Sequence, residues 1–350
     1  MTSEITAARE LASGLARFGW YTGIGALAER RAARAGAPRP PRPAGRVVPD
    51  SRTIMTDILD LFRRDAALVR DGAAAATSDD GSASFADHID RLRAMFLDLP
   101  RAAERRADHE TTTARTHAGE THLPDYFVQD FHFQNGGYLS DKSARLYDVQ
   151  VETLFRGTAH AMRRQALRPI ADFMMGRDQR MMSLLDIACG TGRFLREVRR
   201  AYPALALTGL DLSRPYLNEA ERAMRGLRPA SWLEANAEAI PLEDASQDIV
   251  TSIYLFHELP PEVRRIVARE IARVLKPGGV FVFVDSLQKG DREGGWDGFL
   301  EGFPERFHEP YYRHYTIDDL DAVFAECGLA AVSAWPAFLS KVMVRRKLTA

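Results

Sequence analysis

The chain has 350 residues, of which 45% are hydrophobic and 27% are charged, a composition typical of a globular protein with one large or two modest domains. Its net charge of −1 gives no global field that would recruit nucleic acid or an acidic membrane. Since no apolar run approaches about 18 residues, no transmembrane segment is expected. Cys189 and Cys327 form no C-x-x-C pair, which disfavours a zinc site or a disulfide framework and favours a reducing, cytoplasmic setting.

Residues 1–50 are predicted to contain an N-terminal helix followed by a proline-rich linker. The segment Leu11–Leu27 is mildly apolar, and five prolines between residues 37 and 49 exclude a helix there. We expect the N-terminal helix to pack on its own protein, with docking to a membrane surface or a partner as the alternative.

Residues 51–180 are predicted to form a helical cap or lid. Apolar residues recur at helical spacing in Ile54–Leu68 and again in Phe85–Leu99. The charged segment Arg101–His122 has no apolar stripe and is predicted to be a solvated helix face or a loop.

Two further helices are predicted before residue 180. Ser140 is expected to cap the first, which carries Ala144, Tyr147, Val151 and Leu154 on one face. The second is expected from Thr158 to Phe173, with a kink at Pro169.

Between residues 181 and 350, strand and helix signals alternate, which predicts an α/β fold with a doubly wound, mostly parallel seven-stranded sheet. The last two strands have no helix between them and are expected to form an antiparallel hairpin at one edge. The predicted strands are Ser183–Ala188, Ala206–Asp211, Ser231–Ala235, Asp248–Tyr254, Val280–Asp285, Leu329–Trp335 and Lys341–Lys347. The predicted helices are Gly192–Ala201, Pro215–Arg225, a short piece near Ala237, Pro261–Leu275 and Ile317–Cys327.

A glycine-rich turn follows the first of these strands. Asp186 ends the strand, and Gly190 and Gly192 lie in the turn before the helix. Glycine permits a positive φ and lets a ligand approach the backbone, and ligands of open α/β sheets bind at the carboxyl ends of the strands. A dinucleotide site would have glycine or alanine at position 195, where this chain has Leu195. The turn therefore favours a ligand without a pyrophosphate, such as S-adenosylmethionine.

Polar residues follow the next two strands. The carboxylate of Asp211 can accept hydrogen bonds from both hydroxyls of a ribose, although the same acid would also serve NAD. The third strand ends in the run from Glu234 to Glu238, where a side-chain acceptor beside a free backbone N–H can bind the adenine amino edge.

Four ordered blocks resemble the class I S-adenosylmethionine-dependent methyltransferases, near the branch of the ubiquinone/menaquinone-biosynthesis C-methyltransferases. The blocks are Leu-Leu-Asp-Ile-Ala-Cys-Gly-Thr-Gly at 184–192, Thr-Gly-Leu-Asp-Leu-Ser at 208–213, Ala-Asn-Ala-Glu-Ala-Ile-Pro-Leu at 235–242 and Arg-Val-Leu-Lys-Pro-Gly-Gly at 273–279. The resemblance implies a Rossmann-like methyltransferase fold and S-adenosylmethionine as the cofactor. It carries no information specific to the methyl acceptor.

The resemblance also implies roles for single residues of the cofactor site. Asp186, Gly190 and Gly192 would surround the methionine end of the cofactor. Asp211 would hold the ribose, Leu212 would lie beside the adenine, and Ala237 would offer its backbone to that ring. Asn236 departs from the family pattern, in which aspartate is usual, and would accept a weaker, neutral hydrogen bond.

His257, which follows the fourth strand, is the predicted catalytic residue. In this fold that position faces the transferred methyl group, and the pKa of histidine lies near working pH, so His257 could act as a general base or orient the acceptor. The alternative is a residue that caps the following helix or packs at the rim of the site. Glu258 is expected to be exposed or to cap the helix.

Two aromatic segments are candidates for acceptor binding. The segment Trp296–Tyr315 is rich in Phe, Tyr and His, including Tyr311 and His314, and suits a planar or apolar acceptor. A small satellite core under a long loop is the alternative. Tyr126, His132 and Tyr138 are expected to belong to a lid over the cofactor, or else to fix the helical region to the core.

The sequence therefore predicts methyl transfer from S-adenosylmethionine to a small aromatic or apolar molecule, with no metal. Quinone-type C-methylation and a catalytically silent cofactor-binding module acting through a partner are the alternatives. Leu195 disfavours a nicotinamide oxidoreductase, and the near-neutral charge disfavours nucleic acid as a partner. A homodimer is left open.

Overall fold

The computed structural model describes residues 2–34, 45–77, 84–107, 113–118, 123–131, 136–304 and 307–349. Within these ranges no helix has both the length and the apolar character that a bilayer-spanning segment requires. The predicted α/β architecture is confirmed. Its strands are β1 (Ser183–Ile187), β2 (Ala206–Asp211), β3 (Ser231–Glu234), β4 (Gln247–Ile253), β5 (Leu275–Ser286), β6 (Leu329–Ala337) and β7 (Ser340–Lys347).

The seven strands form one sheet in the order β3-β2-β1-β4-β5-β7-β6. The pairs among the first five strands are parallel, whereas β7 is antiparallel to both β5 and β6. The predicted hairpin of the last two strands is therefore confirmed. Strand β7 lies between β5 and β6, and β6 is at the edge of the sheet. Strand order reverses between β1 and β4, and ligands of open α/β sheets bind at such a reversal.

Helices cover both faces of this sheet. Those of the α/β region are α8 (Arg193–Ala201), α9 (Arg214–Ala223), α10 (Pro261–Val274), α11 (Trp296–Glu301), α12 (Tyr312–Tyr315) and α13 (Leu320–Glu326), with 3₁₀ turns at Gln179–Met181 and Phe256–Glu258. The helix expected near Ala237 is wrong, because that segment is a turn. Strand β5 also begins at Leu275, five residues before the predicted Val280, because Leu275 pairs with Gln247 ahead of a bulge.

The first half of the chain is helical, as predicted. Its helices are α1 (Thr2–Arg34), α2 (Ser51–Arg70), α3 (Phe85–Ala107), α4 (Thr113–Ala118), α5 (Asp141–Leu154), α6 (Ala159–Arg164) and α7 (Leu167–Met174). Helix α1 packs on α2, with Gly14 so close to the ring of Phe62 that a Cβ would lie 2.8 Å from it. This contact agrees with an N-terminal helix that packs on its own protein. Part of the proline-rich linker, residues 35–44, lies outside the described residues.

The caps and breaks of these helices follow from local chemistry. Ser140 caps α5, as predicted, because its side chain accepts a hydrogen bond from the backbone N–H of Ser143. The helix expected from Thr158 to Phe173 is broken at Gln165 and Ala166 instead of being kinked at Pro169. Proline lacks an N–H and its ring crowds the carbonyl four residues earlier, which places the break at Gln165.

A buried arginine joins the helical region to the α/β region. Arg164, at the end of α6, is fully buried. Its guanidinium lies 2.8 Å from the Asp65 carboxylate of α2 and 3.2 Å from the Glu197 carboxylate of α8. A buried charge of this kind is stable only while its partners are present, so the arrangement fixes α2, α6 and α8 relative to one another.

We predict that Arg164→Ala lowers the free energy of unfolding by about 3–5 kcal/mol, because it leaves buried carboxylates without a counter-charge. Urea denaturation followed by circular dichroism measures this change. The control is Arg214→Ala, which removes an exposed ion pair with Glu234 and should cost less than about 1 kcal/mol. Equal losses of stability in the two variants would contradict a special role for Arg164.

Candidate active site

A cavity of about 110 Å³ lies at the carboxyl ends of the parallel strands. Residues that follow β1, β2, β3 and β4 contribute to its lining, and so do residues of the helical region. The lining includes Tyr126, Phe127, Phe131, Tyr138, Tyr147, Ala188, Gly190, Asp211, Leu212, Tyr216, Asn236, Ala237, Tyr254 and Glu258. The cavity therefore lies where the strand order predicts a ligand.

The turn after β1 has the conformation that its glycines require. Gly190 and Gly192 have φ values of 54° and 71°, in the left-handed region that favours glycine. A Cβ at Gly190 would meet no atom within 4 Å, whereas a Cβ at Gly192 would lie 2.8 Å from the Cβ of Ala220. Gly190 thus borders the cavity with open space beside it, and Gly192 allows α8 and α9 to pack closely.

Two residues other than glycine also have a positive φ at this edge of the sheet. They are Ala188 after β1 (53°) and Tyr254 after β4 (62°), and both line the cavity. Left-handed backbone at such residues costs energy and is concentrated at functional sites. The hydroxyl of Tyr254 lies 2.7 Å from the Ser340 Oγ, which holds the side chain in place.

Asp211 ties the turns after β1 and β2 together. Its carboxylate accepts hydrogen bonds from the backbone N–H of Gly190 at 2.8 Å and of Ser213 at 2.9 Å. Burial raises the pKa of Asp211 to about 6, although these N–H donors act to lower it. The side chain lines the cavity, as the predicted ribose-binding role requires.

Asp186 lies in β1, before the glycine turn, and is not among the described residues that line the cavity. It is almost fully buried, and its Oδ1 accepts a 2.6 Å hydrogen bond from the Thr251 hydroxyl of β4. Burial raises the pKa of Asp186 to about 7, against the effect of that hydrogen bond. The Asp186 side chain is therefore held by β4, and direct contact with a ligand stays a prediction.

The predicted adenine side of the cavity is formed by Leu212, Asn236 and Ala237. The Oδ1 of Asn236 accepts a 2.9 Å hydrogen bond from the backbone N–H of Glu238, and its Nδ2 donates to the Glu238 carboxylate at 2.9 Å. Tyr126 donates to the same carboxylate at 2.7 Å. The amide of Asn236, which replaces the usual aspartate, is therefore held by Glu238. One lone pair of its Oδ1 already accepts a hydrogen bond.

An aromatic wall, formed by Tyr126, Phe127, Phe131, Tyr138 and Tyr147, closes the cavity on the side of the helical region. Tyr138 stacks on Phe131 with ring centroids 5.4 Å apart. Tyr138 also meets Tyr216 of α9 edge-on at 5.4 Å, so the wall packs directly on the α/β region. Tyr126 and Tyr138 were predicted here, whereas Tyr147 was expected only as part of an apolar helix face.

Glu258 lines the cavity, and the expectation that it is exposed or caps a helix is wrong. It lies in the 3₁₀ turn Phe256–Glu258 after β4, and its carboxylate accepts a 2.5 Å hydrogen bond from the Tyr138 hydroxyl. Burial raises the pKa of Glu258 above its usual range. No pattern local to residues 256–258 distinguishes this placement from that of a helix cap.

His257 is buried behind Glu258 and is not among the described residues that line the cavity. Its Nδ1 lies 2.6 Å from the Asp285 carboxylate of β5, and its Nε2 lies 3.9 Å from the Glu258 carboxylate. Burial disfavours the charged imidazolium, but Asp285 and the neighbouring glutamates outweigh it and raise the pKa of His257 to about 10. A histidine that is protonated at neutral pH is poorly suited to act as a general base.

None of the described residues of the segment Trp296–Tyr315 lines the cavity, and acceptor binding by this segment stays a prediction. Trp296 is buried edge-on against Phe338 in the hydrophobic core, and the Tyr312 hydroxyl lies 2.7 Å from the Ser286 Oγ, so these two aromatic side chains pack within the fold.

Of the individual residues predicted in acceptor binding, Tyr311 and His314 also lie outside the cavity lining. The hydroxyl of Tyr311 accepts from Gln129, and the Nδ1 of the exposed His314 lies 3.0 Å from the Arg264 guanidinium. Both are therefore held beside α10. His132 lies outside the described residues.

The central part of the chain, residues 184–279, matches the protein family described as "Methyltransferase domain". This part of the chain is therefore similar to a methyltransferase domain. It contains β1–β4 and the start of β5, and hence the glycine turn, Asp211, Asn236 and Glu258. The predicted resemblance to class I S-adenosylmethionine-dependent methyltransferases is confirmed.

Curated relatives of this domain are themselves methyltransferases. The ubiquinone/menaquinone biosynthesis C-methyltransferase of Desulfotalea psychrophila is 32% identical over 148 residues, which cover 42% of this chain and 56% of that protein. The phthiotriol/phenolphthiotriol dimycocerosates methyltransferase of Mycobacterium tuberculosis is 32% identical over 102 residues, which cover 29% of this chain and 37% of that protein. The matched segment thus spans only about a third to a half of these relatives.

Among solved structures, an S-adenosylmethionine-dependent methyltransferase of Methanosarcina mazei aligns at 21% identity with a TM-score of 0.42. The alignment covers 52% of this chain and 98% of that structure.

We predict that Gly192→Ala destabilises the fold more than Gly190→Ala does. Both variants place alanine in left-handed backbone, which lowers the free energy of unfolding by about 1–2 kcal/mol. Only the methyl group at position 192 meets Ala220, and this overpacking costs about 1–3 kcal/mol more. Urea denaturation of the two variants measures the difference. A Gly190→Ala variant that is as unstable as Gly192→Ala would contradict the open space beside Gly190.

Proposed function

We propose that this protein transfers a methyl group from S-adenosylmethionine to a small organic acceptor. The observation that carries the proposal is the placement of Asp211, Gly190 and Glu258 around one cavity whose remaining lining is largely apolar and aromatic. The carboxylate of Asp211 suits the ribose of an adenosine. The glycine turn, with open space beside Gly190, suits an amino acid linked to that adenosine.

The lining residues fit S-adenosylmethionine by their chemistry. Asp211 would hold the ribose hydroxyls, and Leu212 with Ala237 would contact the two apolar faces of the adenine. The methionine end would lie along the turn at Gly190, where a Cβ would find open space. A pyrophosphate is disfavoured because Leu195, fully buried in α8, occupies the position of the third small residue of a dinucleotide turn.

When bound, the cofactor supplies a methyl carbon that is activated by the adjacent positive sulfonium. The protein then has to align the acceptor with that carbon and to keep water away. The aromatic wall covers the cavity from the helical region and would exclude water, while its rings pack against an apolar or planar acceptor. Glu258, which borders the same cavity, would hold a hydroxyl or amino group of the acceptor by accepting a hydrogen bond.

His257 is proposed to act through Glu258 and not by touching the acceptor, because Glu258 lies between His257 and the cavity. We therefore regard it as a positioning residue of the turn that presents Glu258. Quinone-type C-methylation is the second candidate function, since the Desulfotalea psychrophila relative is named for ubiquinone and menaquinone biosynthesis. A planar quinol with hydroxyl groups would suit both the aromatic wall and Glu258.

We predict that Asp211→Ala weakens binding of S-adenosylmethionine by about 10- to 100-fold, because hydrogen bonds to a charged group contribute about 1.5–3 kcal/mol. Isothermal titration calorimetry measures the dissociation constant. Asp244→Ala, which removes an exposed carboxylate that pairs with Arg273 and is not among the described residues that line the cavity, is the control and should leave the affinity unchanged. Tight binding of NAD with no binding of S-adenosylmethionine would overturn the proposed function.

We also predict that Glu258→Gln slows methyl transfer by at least about tenfold while it changes cofactor affinity little, since the acceptor and not the ribose is placed beside it. The measurement is formation of S-adenosylhomocysteine with a panel of quinols, phenols and amines, combined with calorimetry. Cofactor binding without turnover of any panel member would favour the alternative of a silent cofactor-binding module.

A further inference from the structure

A convergent set of metal-binding side chains lies directly behind the cavity. One ligand atom each of His257, Glu258 and Glu309 lies within 4.8 Å of the others, and among the described residues this is the one such group of three. His257 and Glu309 are buried, and Glu258 opens on the cavity. The imidazole and one carboxylate come from the turn after β4, and the other carboxylate comes from the loop before α12.

The position of Asp285 gives this set a feature of its own. Asp285 is fully buried on β5 and holds the Nδ1 of His257 at 2.6 Å, which leaves Nε2 directed toward the glutamates. Histidines that bind metals usually donate their other ring N–H to a carboxylate, which fixes the tautomer and the orientation of the ring. Asp285 also accepts a 2.8 Å hydrogen bond from the backbone N–H of Phe256, so it fixes the backbone of the turn as well.

Three acidic side chains meet at one imidazole in this set. The carboxyl groups of Glu258, Glu309 and Asp285 surround the ring of His257. Arg264 lies nearby and donates to the Phe256 carbonyl, but its charge is paired with Asp318 at 2.9 Å. Carboxyl groups that meet in a buried site are costly to ionise, and a bound divalent ion is one way in which proteins stabilise their charged form.

We propose that His257, Glu258 and Glu309 bind one divalent transition-metal ion, such as Zn²⁺ or Mn²⁺, with Asp285 as the partner that orients His257. Tetrahedral ligands of one ion at about 2.1 Å lie about 3.4 Å apart, so ligand atoms that now lie within 4.8 Å of one another have to approach by up to about 1.4 Å to complete the site. The imidazole ligand favours Zn²⁺ over Mg²⁺, which prefers oxygen ligands, and the two carboxylates also suit Mn²⁺. Binding releases the proton from Nε2, whereas Nδ1 keeps its proton toward Asp285.

The location of the ion has a consequence for the acceptor, which rests on the proposed function. Three protein ligands leave coordination positions of the ion open. The site borders the cavity at Glu258. Oxygen atoms of a hydroxyl-bearing or enolic acceptor could occupy those positions and would be oriented there by the ion. Metal binding itself does not depend on this consequence.

The test uses the full chain, stripped with a chelator and dialysed, without S-adenosylmethionine. Calorimetric titration with ZnCl₂, MnCl₂ and MgCl₂ is combined with elemental analysis after dialysis. We expect one equivalent of Zn²⁺ or Mn²⁺ on the unmodified protein and at least tenfold weaker binding in Glu309→Gln and in His257→Gln. Asp285→Asn should weaken binding by about 10- to 100-fold through the orientation of His257.

The control variant is Glu326→Gln, an exposed acid at the end of α13, which should bind the metal as the unmodified protein does. Circular dichroism identifies any variant that fails to fold, and Glu309→Gln keeps the size of the buried side chain for this reason. Stoichiometric binding that survives both Glu309→Gln and His257→Gln, or the absence of Zn²⁺ and Mn²⁺ binding, would overturn the site. Because cofactor affinity is measured separately, this outcome leaves the proposed methyl transfer standing.

Discussion

The carboxylate of Asp211 joins the turns after β1 and β2, and the geometry of the cavity depends on it. A buried carboxylate is tolerated because backbone N–H groups of Gly190 and Ser213 donate to it. The same hydrogen bonds hold the glycine turn in its left-handed conformation at the mouth of the cavity. The fold therefore uses one side chain both to fix its backbone and to present an acceptor to a ligand, and loss of Asp211 would disturb both.

Asp285 has a corresponding position on the other side of the strand reversal. It accepts hydrogen bonds from the backbone of Phe256 and from the ring of His257, and so it organises the turn after β4. This turn then directs Glu258 into the cavity, where Tyr138 of the helical region meets it. Two buried acids at strand ends thus determine the shape of both halves of the site.

Much of the fold could be predicted because buried parallel strands are short apolar runs between turn signals. Val280, Val282 and Val284 are fully buried on one side of β5, and the run is visible in the sequence. The glycine turn and Asp211 could also be predicted because their spacing follows from a strand, a turn and a helix. The placement of Glu258 could not, because it depends on Asp285, which is distant in sequence, and an acid at the start of a helix looks like a cap.

The aromatic segments illustrate the same limit. Composition alone makes Trp296–Tyr315 and the segment around Tyr126–Tyr138 equal candidates, since both are rich in Phe, Tyr and His. Tertiary packing separates them: Trp296 packs in the hydrophobic core against Phe338, whereas Tyr126, Tyr138 and Tyr147 close the cavity. The segment that matches the methyltransferase family supplies one side of the cavity, and the helical region supplies most of the opposite wall. Acceptor selectivity should therefore vary with the helical region, which lies outside the segment that matches the methyltransferase family.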